Sequence, residues 1–370
     1  MFLVIIMIND PYLNRVQKPS TTCECCYWFN TSSLNAVAAL THAIQAVVVL
    51  ALSSWINSQD DVSDIEKGIF SLQKTVSIWH KKLPGQNIST SQSVMTSKDY
   101  YIEYSNIDAG VLDVRYIIVA FFTLSAFFQA VGGYILGGLW GRQLRYIEYS
   151  FSASIMILAI GVESGIRDIY ILEMMFVLTW ITMILGLLAD HMTEFFMYVG
   201  SSQQVSFDPL TNTFGYWTWV IPHFAGWATC LAAYGPILDH FITSSSKSDV
   251  SAPGFVNVII FMQFGFFSCF GFVQLYYLIN KTYILLGGGG QQQNAYGANG
   301  MDMQSSVRLM YNNDGGGIVN GDFLKNNNVD IVNLISITEN AERMYIVLSL
   351  SAKTILSWLI LSPIITSIVK

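Results

Sequence analysis

Lys353 lies near the middle of the apolar run YIVLSLSAKTILSWLILSP. A lysine that deep cannot easily snorkel its ammonium to water. It loses its charge, pairs with an acid, or condenses with an aldehyde to a Schiff base. From the lysine alone, a structural or transport lysine in an ion pair stands beside the covalent reading. Glu148, in GRQLRYIEYSFSAS, is the natural partner. Arg145 precedes it by three residues on the same helical face, and Ser152 and Met156 continue that face at i+4 and i+8. Ser349 sits one turn before Lys353. The set is a cation, an acid, a hydroxyl and an arginine. Taken singly, Glu148 also reads as an acid at a membrane interface, as does Glu173 in the next run.

The elements that must position these residues are membrane helices. Of 370 residues, 52% are hydrophobic and only 12% charged, about half the soluble average. Seven apolar runs reach the ~20 residues needed to cross ~30 Å of hydrocarbon. They span roughly 34–55, 116–139, 144–162, 169–189, 216–238, 255–279 and 344–369. A net charge of −7 excludes a basic nucleic-acid-binding surface. The opening MFLVIIMI is too short to span and lacks the basic flank of a signal peptide.

Seven spans place the two ends of the chain on opposite sides. Arg15, Lys18, Arg142, Arg145, Lys281, Arg308, Lys325 and Arg343 fall on the N-terminal side. The short segments of the other side offer Arg167, Lys247 and Lys370; its long first loop adds five lysines and Arg115 at the membrane edge, but also holds eight acids and is long enough to be partly discounted. Basic residues in short loops favour the cytosol, so the N-terminus is expected there. The expected organisation is a cytosolic segment 1–33 followed by a seven-helix unit 34–370. An acidic insert, 56–114, faces outside, and its DYYIEYS can pair as a strand. A Gly/Asn-rich insert, 287–333, reads as a flexible cytosolic loop. No internal repeat supports an inverted-repeat transporter. CECC (Cys23, Cys25, Cys26) lies before the first run, where acylation and chance are equal readings. Asn87-Ile-Ser is a glycosylation sequon. His80, His191, His223 and His240 have no metal-ligand spacing.

Seven spans with one lysine in the last resemble the microbial retinal proteins. RYIEYSFSASIMI and YIVLSLSAKTILSW resemble heliorhodopsins in particular, supported by THAIQ in the first span and FGFFSCFGFVQLYY in the sixth. Ordinary microbial rhodopsins carry Asp four residues before the lysine; Ser349 stands there. Proton pumps often carry a carboxylic donor eleven residues after the counterion; Ala159 stands there. No NPxxY of animal opsins follows Lys353. The family's second helix commonly has LSAxxH, whereas LSAFFQ here ends in Gln129.

The resemblance implies an all-α, seven-helix rhodopsin-like bundle of inverted topology, with a cytosolic N-terminus and an extracellular C-terminus. It implies a light sensor, not an enzyme. All-trans retinal would sit on Lys353 as a protonated Schiff base with Glu148 as its sole carboxylate counterion. Ser349 would hydrogen-bond within the pair, and an inward Arg145 would favour ionised Glu148. Tyr149 would stack on the polyene, with Ser152, Met156, Phe264 and Phe267 around it; ordinary helix packing explains any one of these walls equally well. His42 and Gln45, on adjacent turns, would join Gln129 in a polar cavity able to store a proton. A satisfied core histidine is the plainer reading of His42. The implied partners are the bilayer and a second copy of the chain. Light-driven or light-gated proton transport, and a retinal-free receptor or transporter, are the competing readings.

Overall fold

The computed structural model describes residues 31–58, 63–64, 67–81, 93–95, 100–136, 138–202, 209–247, 254–285 and 321–369. The CECC cluster, the Asn87 sequon and the Gly-rich part of the second insert lie outside the described residues. Seven long helical runs follow in order: α1 Thr31–Asn57, α2 Val114–Phe128, α3 Gly138–Glu163, α4 Ile169–Ser202, α5 Pro209–Lys247, α6 Gly254–Leu285 and α7 Gly321–Val369. A π-helical stretch, Gln129–Leu136, prolongs α2. Six of the runs are long and apolar enough to cross a membrane. α5 is the exception. It carries Pro222 and Pro236 inside the helix, with His223, Asp239 and His240 among its aromatics. These dilute the apolar signal that makes a run readable as a span.

Two expectations change. The fold is mostly helical rather than all-α, because the first insert folds into a three-stranded sheet in the order β1-β3-β2. β1 Ile69–Lys81 pairs antiparallel with β3 Tyr100–Asp113, and the short β2 Ser93–Met95 takes the other edge of β3. Residues 100–105, the described part of DYYIEYS, begin β3, where a strand was expected. The second insert does not stay irregular to residue 333, because α7 already starts at Gly321. The Gly runs end there, and Phe323, Leu324, Ile331, Val332 and Leu334 restore an apolar content that a helix can use. At 49 residues α7 is about 74 Å long, more than twice the hydrocarbon thickness.

β3 runs straight into α2. Asp113 is the N-cap, accepting from the Arg115 N–H at 3.0 Å. The Arg115 guanidinium folds back onto Asp113 at 2.6 Å and donates to the Ser53 carbonyl of α1 at 3.4 Å. Arg115, at the start of the second span, is thus fully buried in an ion pair.

The core has two parts. On the sheet side of Lys353, Ile118, Phe121, Phe122, Ile157, Ile160, Leu356 and Ile360 form one continuous apolar cluster. Toward the opposite end, a smaller cluster groups Tyr149, Ala189, Trp219, Tyr277 and Tyr345. Charges gather at that opposite end, where α3 and α7 enter the bundle.

Candidate functional site: a buried lysine and an aromatic cavity

Three helices meet at the Lys353 ammonium. α3 brings Glu148, whose Oε1 lies 2.5 Å from Nζ. α2 brings Ser125, whose hydroxyl accepts a short hydrogen bond from Nζ. Lys353 is 2% exposed, Glu148 1% and Ser125 0%. Burying two charges costs several kcal/mol per ion unless each finds its partner and further hydrogen bonds. The lysine meets that requirement with a carboxylate, a hydroxyl and the face of Tyr149, whose ring centroid is 5.3 Å from Nζ.

Ser349 does not take the place expected of it. Its hydroxyl is buried and bonds neither Lys353 nor Glu148. Ser125 occupies that role, and LSAFFQ offered no signal to separate it from any other helical serine. Arg145 has a partner that was not expected. It turns inward, but to Glu342 of α7, with 2.6 Å to the carboxylate and 2.9 Å to the backbone carbonyl. Glu342 precedes the apolar run that marks the last span, so it reads as a loop acid.

Tyr149 links this pair to a cavity. Its hydroxyl donates to the Tyr345 carbonyl at 3.0 Å, and its ring meets Phe270 edge-on at 5.4 Å. The cavity continues between α3, α4, α5, α6 and α7, walled chiefly by Tyr149, Met183, Trp227, Phe267, Phe270 and Tyr345. Gly186 keeps it open: a Cβ there would lie 2.9 Å from the Gln274 amide nitrogen. Behind the aromatics runs a directed chain. The Trp227 indole donates to His223 Nε2 at 3.1 Å, so the other ring nitrogen donates to Gln274 Oε1 at 3.2 Å. Gln274 then donates to the Gly186 carbonyl at 2.8 Å. Of the expected walls, Phe267 lines the cavity. Met156 and Phe264 pack in the sheet-side apolar cluster, Phe264 against Tyr234. Ser152 is buried with its hydroxyl unpartnered.

His42 and Gln45 do come together. His42 Nδ1 lies 3.2 Å from Gln45 Oε1, and the Gln45 amide donates to the Thr354 hydroxyl at 2.9 Å. Thr354 is the residue after Lys353, so this chain ends beside the site. Gln129 is buried in the π-helical stretch, its Oε1 without a partner, and bonds neither residue. A second ion cluster lies toward the far end. Lys281 is 2.5 Å from Asp190, and Arg142 approaches the same carboxylate at 3.3 Å. Lys281 is therefore buried rather than a loop charge. Ion pairs thus engage Arg142, Arg145 and Lys281 on one side of the basic-residue comparison and Arg115 on the other.

Lys353, with a carboxylate at 2.5 Å, is separated by the Tyr149 ring from an aromatic-walled cavity that it does not itself line, an arrangement compatible with an elongated apolar aldehyde. Residues 32–283 match the family model described as Heliorhodopsin. The match covers well over half the chain and stops before α7, so the place of Lys353 rests on the geometry above. No curated protein matches.

Proposed function

The chain belongs to the heliorhodopsin family, and we propose that it senses light through all-trans retinal held on Lys353 as a protonated Schiff base, with Glu148 as counterion. It is a multi-pass membrane protein of the microbial rhodopsin type. The observation that carries the assignment is the Lys353–Glu148 contact, buried in the bundle and flanked by Tyr149. When bound, retinal supplies the absorption of visible light and a photoisomerisable double bond.

The chain's own residues do the rest. Glu148 holds the positive charge at Nζ and is the charged acceptor in reach of its proton. Once Nζ has a carbon substituent it keeps one N–H. The charged carboxylate is the stronger acceptor, so Ser125 is left beside the pair as a polar neighbour. Arg145, already neutralised by Glu342, biases Glu148 only from a distance. His42 donates from Nδ1 to Gln45 Oε1, while Nε2 is buried with no partner that would hold a second proton.

This supports sensing over pumping. Ala159 is fully buried in the apolar cluster, at the position where pumps often carry a donor. A pump needs proton relays on both sides of the lysine, and the sheet side is packed with Ile118, Phe121, Phe122, Ile160 and Leu356. Photocurrents reversing at the proton equilibrium potential would instead establish a conductance. The direct test is addition of all-trans retinal to the apoprotein. A stable visible band is expected; its absence would leave a retinal-free receptor or transporter.

The arrangement in the membrane is part of the same reading. α5 serves as the seventh span, giving an inverted bundle over 34–370 after a cytosolic segment 1–33. The sheet stands outside, and a homodimer forms in the bilayer. A tag at the N-terminus should be inaccessible from outside intact cells and one at the C-terminus accessible. External labelling of the N-terminal tag would overturn the inversion.

A further inference from the structure

We propose that the β-sheet is the mechanical output of the light reaction, driven by relative movement of α2 and α3. The proposal rests on the retinal reading above. Lys353 Nζ meets two helices besides its own: α3 through the Glu148 ion pair and α2 through Ser125, which stays beside it as a polar neighbour once retinal is bound. The sheet is fastened to the same two helices. β3 passes directly into α2 at Asp113–Val114. β1 is fastened to the connector that follows α3.

That second attachment is extensive. The Gln73 amide donates to the Arg167 carbonyl at 2.9 Å, and Gln73 forms a parallel bridge with Asp168. The Thr75 hydroxyl donates to the Asp168 carboxylate at 2.6 Å, and the Thr75 amide reaches the same oxygen at 3.3 Å. The Arg167 guanidinium donates to the Val162 carbonyl at the end of α3 and lies 4.2 Å over the Phe70 ring of β1. One side chain thus caps α3 and grips the sheet. Behind the connector, His240 of α5 meets the Ser164 carbonyl at 2.9 Å and leaves no room at Gly165. Gly165 has φ +102, where a Cβ would also be strained. The connector is therefore clamped on both faces.

Between Lys353 and the sheet lies the close-packed apolar cluster. Such packing transmits displacement rather than absorbing it. Transfer of the Nζ proton to Glu148 would remove the ion pair joining α7 to α3 and leave α3 free to shift against α2. A shift between them reaches the sheet at two points and has to be taken up by β1 against the connector. Spatial continuity alone does not demonstrate coupling, so the test reads the joint itself.

The full chain, carrying retinal in lipid nanodiscs, would be followed by residue-resolved amide exchange in darkness and under steady illumination. Light should change exchange at Gln73 and Thr75 by about 5-fold or more, the low end of ordinary allosteric coupling. Asp168→Asn combined with Thr75→Val should exchange faster at these amides in darkness and lose the light effect, with an unchanged dark spectrum. Lys353→Ala should show no light effect. If the visible band forms and cycles while Gln73 and Thr75 exchange identically in light and dark, this inference fails alone. If no visible band forms, the retinal reading fails and takes this inference with it.

Discussion

Lys353→Ala should give a protein that never acquires a wash-resistant visible band when retinal is added. Among the described residues, the Lys353 amine is the one placed within the last apolar span, buried at 2% exposure and bordered by the face of Tyr149. The substitution has a second effect that must be separated from the first. It leaves Glu148, 1% exposed, without its cation. An unpaired buried charge of this kind costs about 3–5 kcal/mol. That is a large share of the ~5–15 kcal/mol by which a domain is ordinarily stable. Lys353→Ala alone is therefore expected to be recovered in lower yield. Glu148→Gln in the same chain removes the stranded charge and should restore the yield while leaving the protein colourless. The measurement is the visible spectrum after washing, with acid trapping of any covalent adduct. A trapped adduct in either protein would refute the attachment site.

The lysine and its carboxylate are legible in the sequence because charge inside an apolar run is costly and therefore rare. The sequence does not say where flexible side chains turn. Arg145 shares a helical face with Glu148, yet its long side chain reaches Glu342 on another helix. That partner was hidden because the apolar run marking the last span begins at Met344, while the helix itself starts at Gly321. Ser125 carries no charge, so nothing distinguishes it from the structural serines around it. Ser349 has the right spacing from Lys353, but spacing along one helix does not settle which neighbouring helix fills the contact. His42 and Gln45 are three residues apart on one helix, a local relation, and the structure joins them. Gln129 lies in a π-helical stretch, where ordinary helical spacing no longer tells which way a side chain faces. α5 shows the reverse effect. Its prolines and polar-tipped aromatics weaken its apolar signature, yet Trp227 and His223 from that helix wall the cavity.

Glu148→Gln should red-shift the protonated pigment and move its colour transition to lower pH. In the ground state the positive charge sits at Nζ, 2.5 Å from the carboxylate. Excitation moves positive charge along the polyene, away from Glu148, so the carboxylate stabilises the ground state more than the excited state. Removing the charge narrows that gap. Glutamine nearly preserves the shape, and Ser125 stays in place as a hydroxyl acceptor, so the change isolates charge from packing. Glu342 is already matched by Arg145 and does not supply a substitute anion. The protonated form loses its electrostatic partner, whereas the neutral form loses little. A nearby opposite charge is ordinarily worth about 1–3 pH units in such a titration, and each unit corresponds to about 1.4 kcal/mol. The visible band should therefore bleach toward the ultraviolet at a pH lower by that amount. Glu148→Asp is the weaker test, since it keeps the charge and only shortens its reach. The experiment is a pH titration of the visible spectrum for both proteins in the same lipid. If neither the maximum nor the midpoint moves, the counterion is another acid or a bound anion, and the 2.5 Å contact with Glu148 is structural only.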